Sequence, residues 1–262
     1  MPQKLYQIDA FANKVFSGNP AAVCPLEQWL SDELLQKIAM ENNFAETAFY
    51  VKHGDQYQLR WFTPTVEVDL CGHATLAAAY VLFNHENHMG NTIHFHSRRS
   101  GILTVTKEGE LLTLNFPTDQ LESIELTNEL ISGFNIRPQL AFKGKTDYML
   151  VYDGEGEIKK IIPSFDVISK LKARGIIVTA EGDKVDFVSR FFAPAAGVNE
   201  DPVTGSAHTT LIPYWSKRLG KTELTAIQLS PRTGHLKCKY LNDRVEISGQ
   251  GKLYLIGEIY VE

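Results

Sequence analysis

Two stretches of the chain decide its fold: residues 60–75 read RWFTPTVEVDLCGHAT, and residues 190–208 read RFFAPAAGVNEDPVTGSAH. Their first five residues agree at three positions, and after an insertion of three residues the copies continue as CGHAT and TGSAH. Three identities alone are within chance, but a strand, a helix and a strand precede each copy in the same order over about 60 residues. We therefore interpret the chain as a duplication of one strand–turn–helix motif.

Each copy ends in a turn glycine, Gly72 or Gly205, followed by a predicted helix. Residues 74–83 are apolar on nearly every face, which predicts a helix that is buried all round and wrapped by short strands. Two such lobes are expected to bring their helix N-termini to a shared interface. Free N–H groups and the helix dipole there would bind an anion such as a substrate carboxylate. The alternative is that both glycines only relieve tight turns.

Composition excludes several classes of function. The 262 residues are 44% hydrophobic and 22% charged, as in an ordinary globular protein of one large or two small domains. A net charge of −5 argues against nucleic acid or an anionic membrane as partner. The longest largely apolar run has ten residues, whereas a membrane-spanning helix needs about 20. The N-terminus lacks the apolar region of a signal peptide, and three scattered cysteines without a CxxC fit a reducing compartment, so we expect a cytoplasmic protein.

Four polar side chains in or near these motifs are candidates for chemistry. Glu46 stands among apolar neighbours in the segment NFAETAF, where desolvation disfavours its charged form and suits it to acid/base work; alternatively, it is a solvated turn residue. His73 begins the buried helix, where the dipole favours a neutral imidazole, and the alternative is a capping or core histidine. Asp201 either caps the second helix or faces a ligand. Ser206 matches His73 by position and can donate a hydrogen bond.

Motifs for cofactors are not found in the sequence. His94 and His96 share one face of a predicted strand, but without a third ligand nearby they make a poor metal site, so we expect none. The sequence contains no GxxxxGK[ST], no strand-linked GxGxxG and no GxSxG. We therefore expect neither a nucleotide cofactor nor a serine nucleophile elbow.

The chain resembles the phenazine-biosynthesis PhzF-like family over essentially its whole length. Six motifs that carry the resemblance occur in order: Asp9-Ala10-Phe11, Gly18-Asn19-Pro20, Glu46-Thr47-Ala48-Phe49, Phe62-Thr63-Pro64, Cys71-Gly72-His73-Ala74-Thr75, and Glu200-Asp201-Pro202-Val203-Thr204-Gly205-Ser206-Ala207.

The resemblance implies an α+β fold of the diaminopimelate epimerase-like type. Such a fold has two pseudo-symmetric lobes, each a β-barrel-like sheet wrapped around a central α-helix, with the active site between them. The last strand of this fold commonly returns to the first lobe. With a boundary signal at residues 117–119 (PTD), we expect an N-terminal lobe of residues 1–116 plus 255–262 and a C-terminal lobe of residues 117–254. A homodimer is also implied.

The resemblance also implies roles for individual residues. In the family's best-known member, the glutamate of the E-T-A-F motif moves a proton between ring carbons of an amino-bearing cyclohexadiene carboxylate, without a metal or organic cofactor. That glutamate corresponds to Glu46, and His73 and Asp201 are the other expected catalytic residues. The residues expected to bind substrate are Asn19, Gly72, Gly205 and Ser206.

The sequence therefore predicts a cofactor-independent isomerase that transfers a proton on a small carboxylate-bearing substrate. The first alternative is an amino- or hydroxy-acid racemase or epimerase that uses Glu46 with Cys71 or His73. Epimerase relatives use one cysteine from each lobe, but Thr204 stands where the second cysteine would be, which disfavours a two-thiol mechanism. The second alternative is a non-catalytic protein that binds a small molecule or a partner.

Overall fold

The computed structural model describes residues 2–261. Its helices and strands follow in chain order: β1 (Gln3–Ala10), β2 (Asn19–Leu26), α1 (Asp32–Asn42), β3 (Thr47–His53), β4 (Gln56–Phe62), β5 (Glu67–Val68), α2 (Gly72–Asn84), β6 (Thr92–Ser97), β7 (Gly101–Glu108), β8 (Leu111–Pro117), β9 (Glu122–Ile124), α3 (Asn128–Ser132), β10 (Leu140–Lys143), β11 (Asp147–Val151), α4 (Glu155–Lys160), α5 (Phe165–Ile168), β12 (Gly175–Glu181), β13 (Phe187–Phe192), α6 (Gly205–Leu219), β14 (Glu223–Gln228), β15 (Gly234–Tyr240), β16 (Arg244–Gly249) and β17 (Gly251–Ile259).

The chain divides into two compact units. Unit 1 comprises Met1–Asn115 and Ser248–Glu262, and unit 2 comprises Phe116–Ile247. The second segment of unit 1 thus begins at Ser248 rather than at the expected residue 255. The reason is that β17 pairs with β1 from Gly251 onward, so the whole strand belongs with the N-terminal strand.

The strands of unit 1 run in the order β17-β1-β2-β3-β4-β6-β7. Neighbours are antiparallel except for β2 with β3 and β4 with β6, which are parallel. Helix α2 packs against β1, β2, β3 and β17. Its residues from His73 to Ala79 are all buried, as are Val81 and Leu82, which confirms the prediction of a central helix enclosed on nearly every side.

Unit 2 repeats this arrangement. Its strands run in the order β9-β10-β11-β12-β13-β14-β15, again with two parallel pairs, β11 with β12 and β13 with β14. The parallel pairs fall at the same places in the order as in unit 1. Helix α6 packs against β14 and β15 and buries about half of its residues. The duplication predicted from two short sequence matches therefore extends through seven strands and a helix of each unit.

Local sequence patterns predict some of the helices and strands correctly and others incorrectly. Ser31 followed by Asp32 and Glu33 predicts the start of a helix, and in the structure Ser31 caps α1, because its Oγ accepts a hydrogen bond from the N–H of Leu34 at 3.3 Å. Residues 17–20 (SGNP) have the composition of a turn and predict a loop, yet Asn19 begins β2, whose backbone pairs with both β1 and β3. Conversely, Ser164 and Asp166 are possible caps that predict a helix continuing to Arg174, but α5 ends at Ile168.

Within the described residues, no helix has both the length and the apolar character that crossing a membrane requires.

Candidate active site

Glu46 lies at the end of the turn that joins α1 to β3. Asn43 ends the helix in the left-handed conformation, with φ of 52°, and the Asn42 side chain donates a hydrogen bond to Thr47 Oγ1 at 3.3 Å. Thr47 is paired with Ala22 on one side and Phe62 on the other. The Glu46 carboxylate is therefore attached to a rigid strand, and its side chain keeps 19% of its surface exposed.

His73 is the second residue of α2 and links three side chains of unit 1. Its Nε2 lies 3.3 Å from Oε2 of Glu46. Its Nδ1 lies 3.3 Å from Nδ2 of Asn19 and 3.4 Å from Sγ of Cys71. Burial lowers the pKa of His73 to about 3, so the imidazole is neutral at physiological pH. Because the amide and thiol groups donate to Nδ1, the ring proton is assigned to Nε2, on the side of Glu46.

This arrangement supports proton transfer at Glu46. The carboxylate can accept a proton from a bound molecule. The neutral imidazole lies beside it, although the buried Nε2 of His73 is in hydrogen-bond geometry with no atom of the described residues. Gly72 and His73 also begin α2, so their backbone N–H groups have no acceptor within the helix and can bind an anion. Of the predicted site residues, the structure brings together Asn19, Glu46, Gly72 and His73.

The predicted residues of unit 2 lie around the start of α6. Oγ1 of Thr204 donates to Oδ2 of Asp201 at 2.5 Å, and Gln228 donates to the Asp201 carbonyl at 2.7 Å. Gly205 and Ser206 are the first two residues of the helix. The structure thus places Asp201, Gly205 and Ser206 in one local cluster that is ordered by Gln228.

Sequence reasoning missed Arg174, which contacts this cluster. Its Nη2 donates to Oγ of Ser206 at 3.0 Å, and its Nε donates to Oδ1 of the buried Asp147 at 2.9 Å. A second hydrogen bond to Oδ2 makes the pair with Asp147 bidentate, and the guanidinium lies over the ring of Phe191. No motif in the sequence points to Arg174. Its position is the one indication, because Arg174 stands directly before β12 as Glu46 stands directly before β3.

Each copy of the repeat contains an equivalent, partly buried ion pair between an arginine and a glutamate. Arg60 binds both oxygens of Glu67 at 2.7 and 2.8 Å, and its guanidinium lies over Phe62. Arg190 binds both oxygens of Glu200 at 2.7 and 2.9 Å and lies over Phe192. The three-residue insertion of the second copy falls between arginine and glutamate. This match fixes which residues of the two copies are equivalent.

Strand register then shows that Glu46 has no counterpart in unit 2. Thr47 pairs with Phe62, and Ile176 pairs with Phe192, so the residue equivalent to Glu46 is Gly175. A Cβ atom on Gly175 would lie 2.4 Å from Cζ of Phe191, which leaves no room for a side chain. The scaffold is duplicated, but a carboxylate stands at this position in unit 1 alone.

Comparisons with known proteins agree with this description. The family described as phenazine biosynthesis-like protein matches residues 8–257. A Pseudomonas aeruginosa protein named an uncharacterized isomerase is 49% identical over 261 residues, covering 100% of both chains. The crystal structure of a PhzF-family phenazine biosynthesis protein from Enterococcus faecalis matches with a TM-score of 0.97 and 50% identity, also over 100% of both chains.

A more distant match concerns the fold alone. A hydroxyproline epimerase from Agrobacterium vitis has a TM-score of 0.61 at 11% identity, covering 98% of this chain and 92% of the epimerase. Together with the two repeated units, this confirms the predicted α+β fold of the diaminopimelate epimerase-like type.

Proposed function

The chain belongs to the phenazine biosynthesis-like family, and from this premise we propose that it is an isomerase that transfers a proton on a small carboxylate-bearing substrate. The observation that carries the proposal is the pair formed by Glu46 and the neutral His73 at 3.3 Å, which has no equivalent at Gly175. One acid/base group suits the removal and return of a proton on the same face of a substrate. Two opposed groups would suit inversion at a carbon.

In the proposed reaction, Glu46 takes a proton from an activated carbon and returns it to another carbon of the same molecule. The N–H groups of Gly72 and His73 bind the substrate carboxylate at the start of α2. A side-chain rotation would bring the Nε2–H of His73, now 3.3 Å from the Glu46 carboxylate but not aligned with it, into a hydrogen bond that orients the carboxylate between the two transfers. A positioned acid/base group contributes about 10²–10⁴-fold to such a step. The resemblance implies that neither a metal nor an organic cofactor takes part.

The polar cluster of unit 2 is proposed to bind other polar groups of the substrate. Since Arg174 donates to Oγ of Ser206, the hydroxyl proton of Ser206 is left to donate to a ligand. The Asp201 carboxylate, fixed by Thr204, can accept a hydrogen bond or hold a proton. Their assignment to the same reaction as Glu46 stays a prediction, which the kinetics of Asp201→Asn test. The expected homodimer and cytoplasmic location also remain predictions.

A racemase or epimerase is the second candidate, favoured by the thiol of Cys71 at 3.4 Å from His73. This thiol and Glu46 are both in unit 1, whereas Thr204 and Gly175 stand at the equivalent positions of unit 2. Inversion at a carbon would therefore need a proton donor at some position other than the unit 2 equivalents of Glu46 and Cys71. For this reason we rank the racemase or epimerase below the isomerase.

The deciding experiment incubates the full-length protein with a library of small carboxylic acids in D₂O. We expect deuterium incorporation together with migration of a double bond, and a loss of about 10²–10⁴-fold in Glu46→Gln, which keeps the shape of the side chain and removes the base. Deuterium at an inverted stereocentre would support the epimerase instead. A compound bound tightly and recovered unlabelled would indicate a binding protein, and near-normal turnover by Glu46→Gln would refute the role of Glu46.

A further inference from the structure

Glu46, Cys71 and His73, which the sequence pairs only as alternative acid/base partners, form one cluster of three side chains. One carboxylate oxygen, the thiol sulfur and one ring nitrogen all lie within 4.8 Å of one another. In the described range 2–261 this is the one group of three histidine, cysteine or acidic side chains close enough to share a metal ion. The three residues come from the turn before β3 and from the start of α2, so only folding brings them together.

Thiolate, imidazole and carboxylate are ligands that zinc uses in proteins. In a tetrahedral zinc site the sulfur and nitrogen ligands lie roughly 3.5 Å apart, given Zn–S near 2.3 Å and Zn–N near 2.0 Å. The sulfur of Cys71 and Nδ1 of His73 are 3.4 Å apart. The Glu46 side chain must move toward this sulfur and nitrogen. It is the most exposed of the three side chains, with 19% of its surface accessible to solvent. The geometry therefore requires this movement of Glu46, and it requires Nδ1 to exchange its contact with Asn19 for the metal ion.

The charges also balance. A zinc ion would displace the thiol proton of Cys71 to solvent, and the thiolate and the Glu46 carboxylate would together neutralise the two positive charges of the ion. This matters because Cys71 and His73 are almost fully buried, and an unpaired charge is costly there. With three protein ligands, a fourth position stays open to water or to a substrate group.

We propose that Glu46, Cys71 and His73 bind a zinc ion and that the bound ion inhibits the enzyme by occupying the carboxylate of Glu46. The binding itself is independent of the reaction assigned above, and only the inhibition rests on the proposed function. Such a site would make the activity of the enzyme depend on the free concentration of a divalent cation that binds thiolates.

The test titrates the chelator-treated, fully reduced protein with Co²⁺, which replaces zinc and reports a thiolate ligand by a charge-transfer band in the near ultraviolet. Zinc affinity is then measured by displacement of cobalt. We expect one equivalent of Co²⁺ to produce the band. We also expect Cys71→Ser to abolish the band and to weaken zinc binding by more than the roughly 10–100-fold that loss of an outer-shell partner costs.

Two sets of controls separate this site from others. Cys24→Ala and Cys238→Ala remove buried thiols elsewhere in the chain and should leave the band unchanged. A double substitution of the exposed His94 and His96 on β6 should also leave it unchanged. The far-ultraviolet circular dichroism of Cys71→Ser verifies that the variant is folded. A missing cobalt band in the wild type, or equal zinc affinity in the wild type and a folded Cys71→Ser, would overturn the proposal.

The inhibition has its own readout. On a substrate found in the D₂O screen, zinc should inhibit the wild type at the concentration at which it displaces cobalt. If the cobalt band appears but no substrate is ever found, the metal site stands and the isomerase proposal fails. If turnover is found but zinc binding leaves it unchanged, the inhibitory role is refuted while the isomerase proposal survives.

Discussion

Lowering the pH from 8 to 5 should destabilise this protein through two buried histidines. Burial lowers the pKa of His73 to about 3 and that of His208 to about 4, and each side chain is almost completely enclosed in its unit. In the unfolded chain, a histidine has a pKa of about 6.5. Between these values the unfolded state binds more protons than the folded state, so stability is lost as the pH falls below about 6.5.

The magnitude at pH 5 depends little on the folded-state values. At that pH each imidazole is neutral in the folded protein and about 97% protonated in the unfolded chain. The linkage integral is then about 2 kcal/mol per histidine, or about 4 kcal/mol for the two, relative to pH 8. Carboxylates with lowered pKa values, such as Glu67 and Asp186, contribute mainly at lower pH.

The assay is urea unfolding at pH 8 and pH 5, for the wild type and for His73→Gln and His208→Gln. The relevant quantity is the difference in unfolding free energy between the two pH values, because each substitution also changes absolute stability. Each variant should reduce that difference by about 2 kcal/mol. Imidazole NMR signals of the folded protein should show no protonation of either ring above pH 5. A ring that titrates near 6.5 in the folded state, or variants with the wild-type difference, would refute the reasoning.

Three substitutions test the repeated scaffold and the cluster of unit 2. Gly175→Ala should lower the unfolding free energy by about 1–3 kcal/mol because its Cβ would overlap a phenyl ring, whereas Gly156→Ala, with no atom within 4 Å of its Cβ, should be neutral or stabilising in thermal unfolding. Arg60→Gln removes the buried arginine of a partly buried ion pair and should lower the unfolding free energy by up to about 3 kcal/mol, whereas Lys37→Gln, in a fully exposed pair, should have a much smaller effect; equal losses in urea unfolding would contradict this. Arg174→Lys cannot keep the bidentate pair and the serine contact together, so kcat/KM should fall about 10-fold or more while the fold persists, and an unchanged kcat/KM would exclude its positioning role.

Local signals in the sequence were sufficient for several elements. The Ser31 cap and the uninterrupted apolar segment of α2 are read within a few residues, because capping and helical periodicity depend on near neighbours. By contrast, β2 was missed. Its opening Asn19-Pro20 has the composition of a turn, and the strand forms because distant strands pair with both of its edges.

The candidate site, too, could be predicted from the sequence only in part. The motif around Glu46 and the helix start at His73 were both found in the sequence, but their contact was not, since 27 residues separate them. The sequence pointed to Cys71 as a possible partner of Glu46 in an epimerase and to its missing second cysteine, but not to its contact with His73. Arg174 gave no local signal, because its role depends on a buried aspartate and a helix start elsewhere in unit 2.

By itself, the sequence determined that the chain is a duplication, that each copy leads into a helix through a turn glycine, and that it resembles one family. These conclusions need only residue order and periodicity. The tertiary structure decided that Gly175 is the counterpart of Glu46 and that a phenyl ring closes its position. It also placed a thiol, an imidazole and a carboxylate within reach of one metal ion. Both depend on strand register and on packing between distant segments, which no single stretch of sequence encodes.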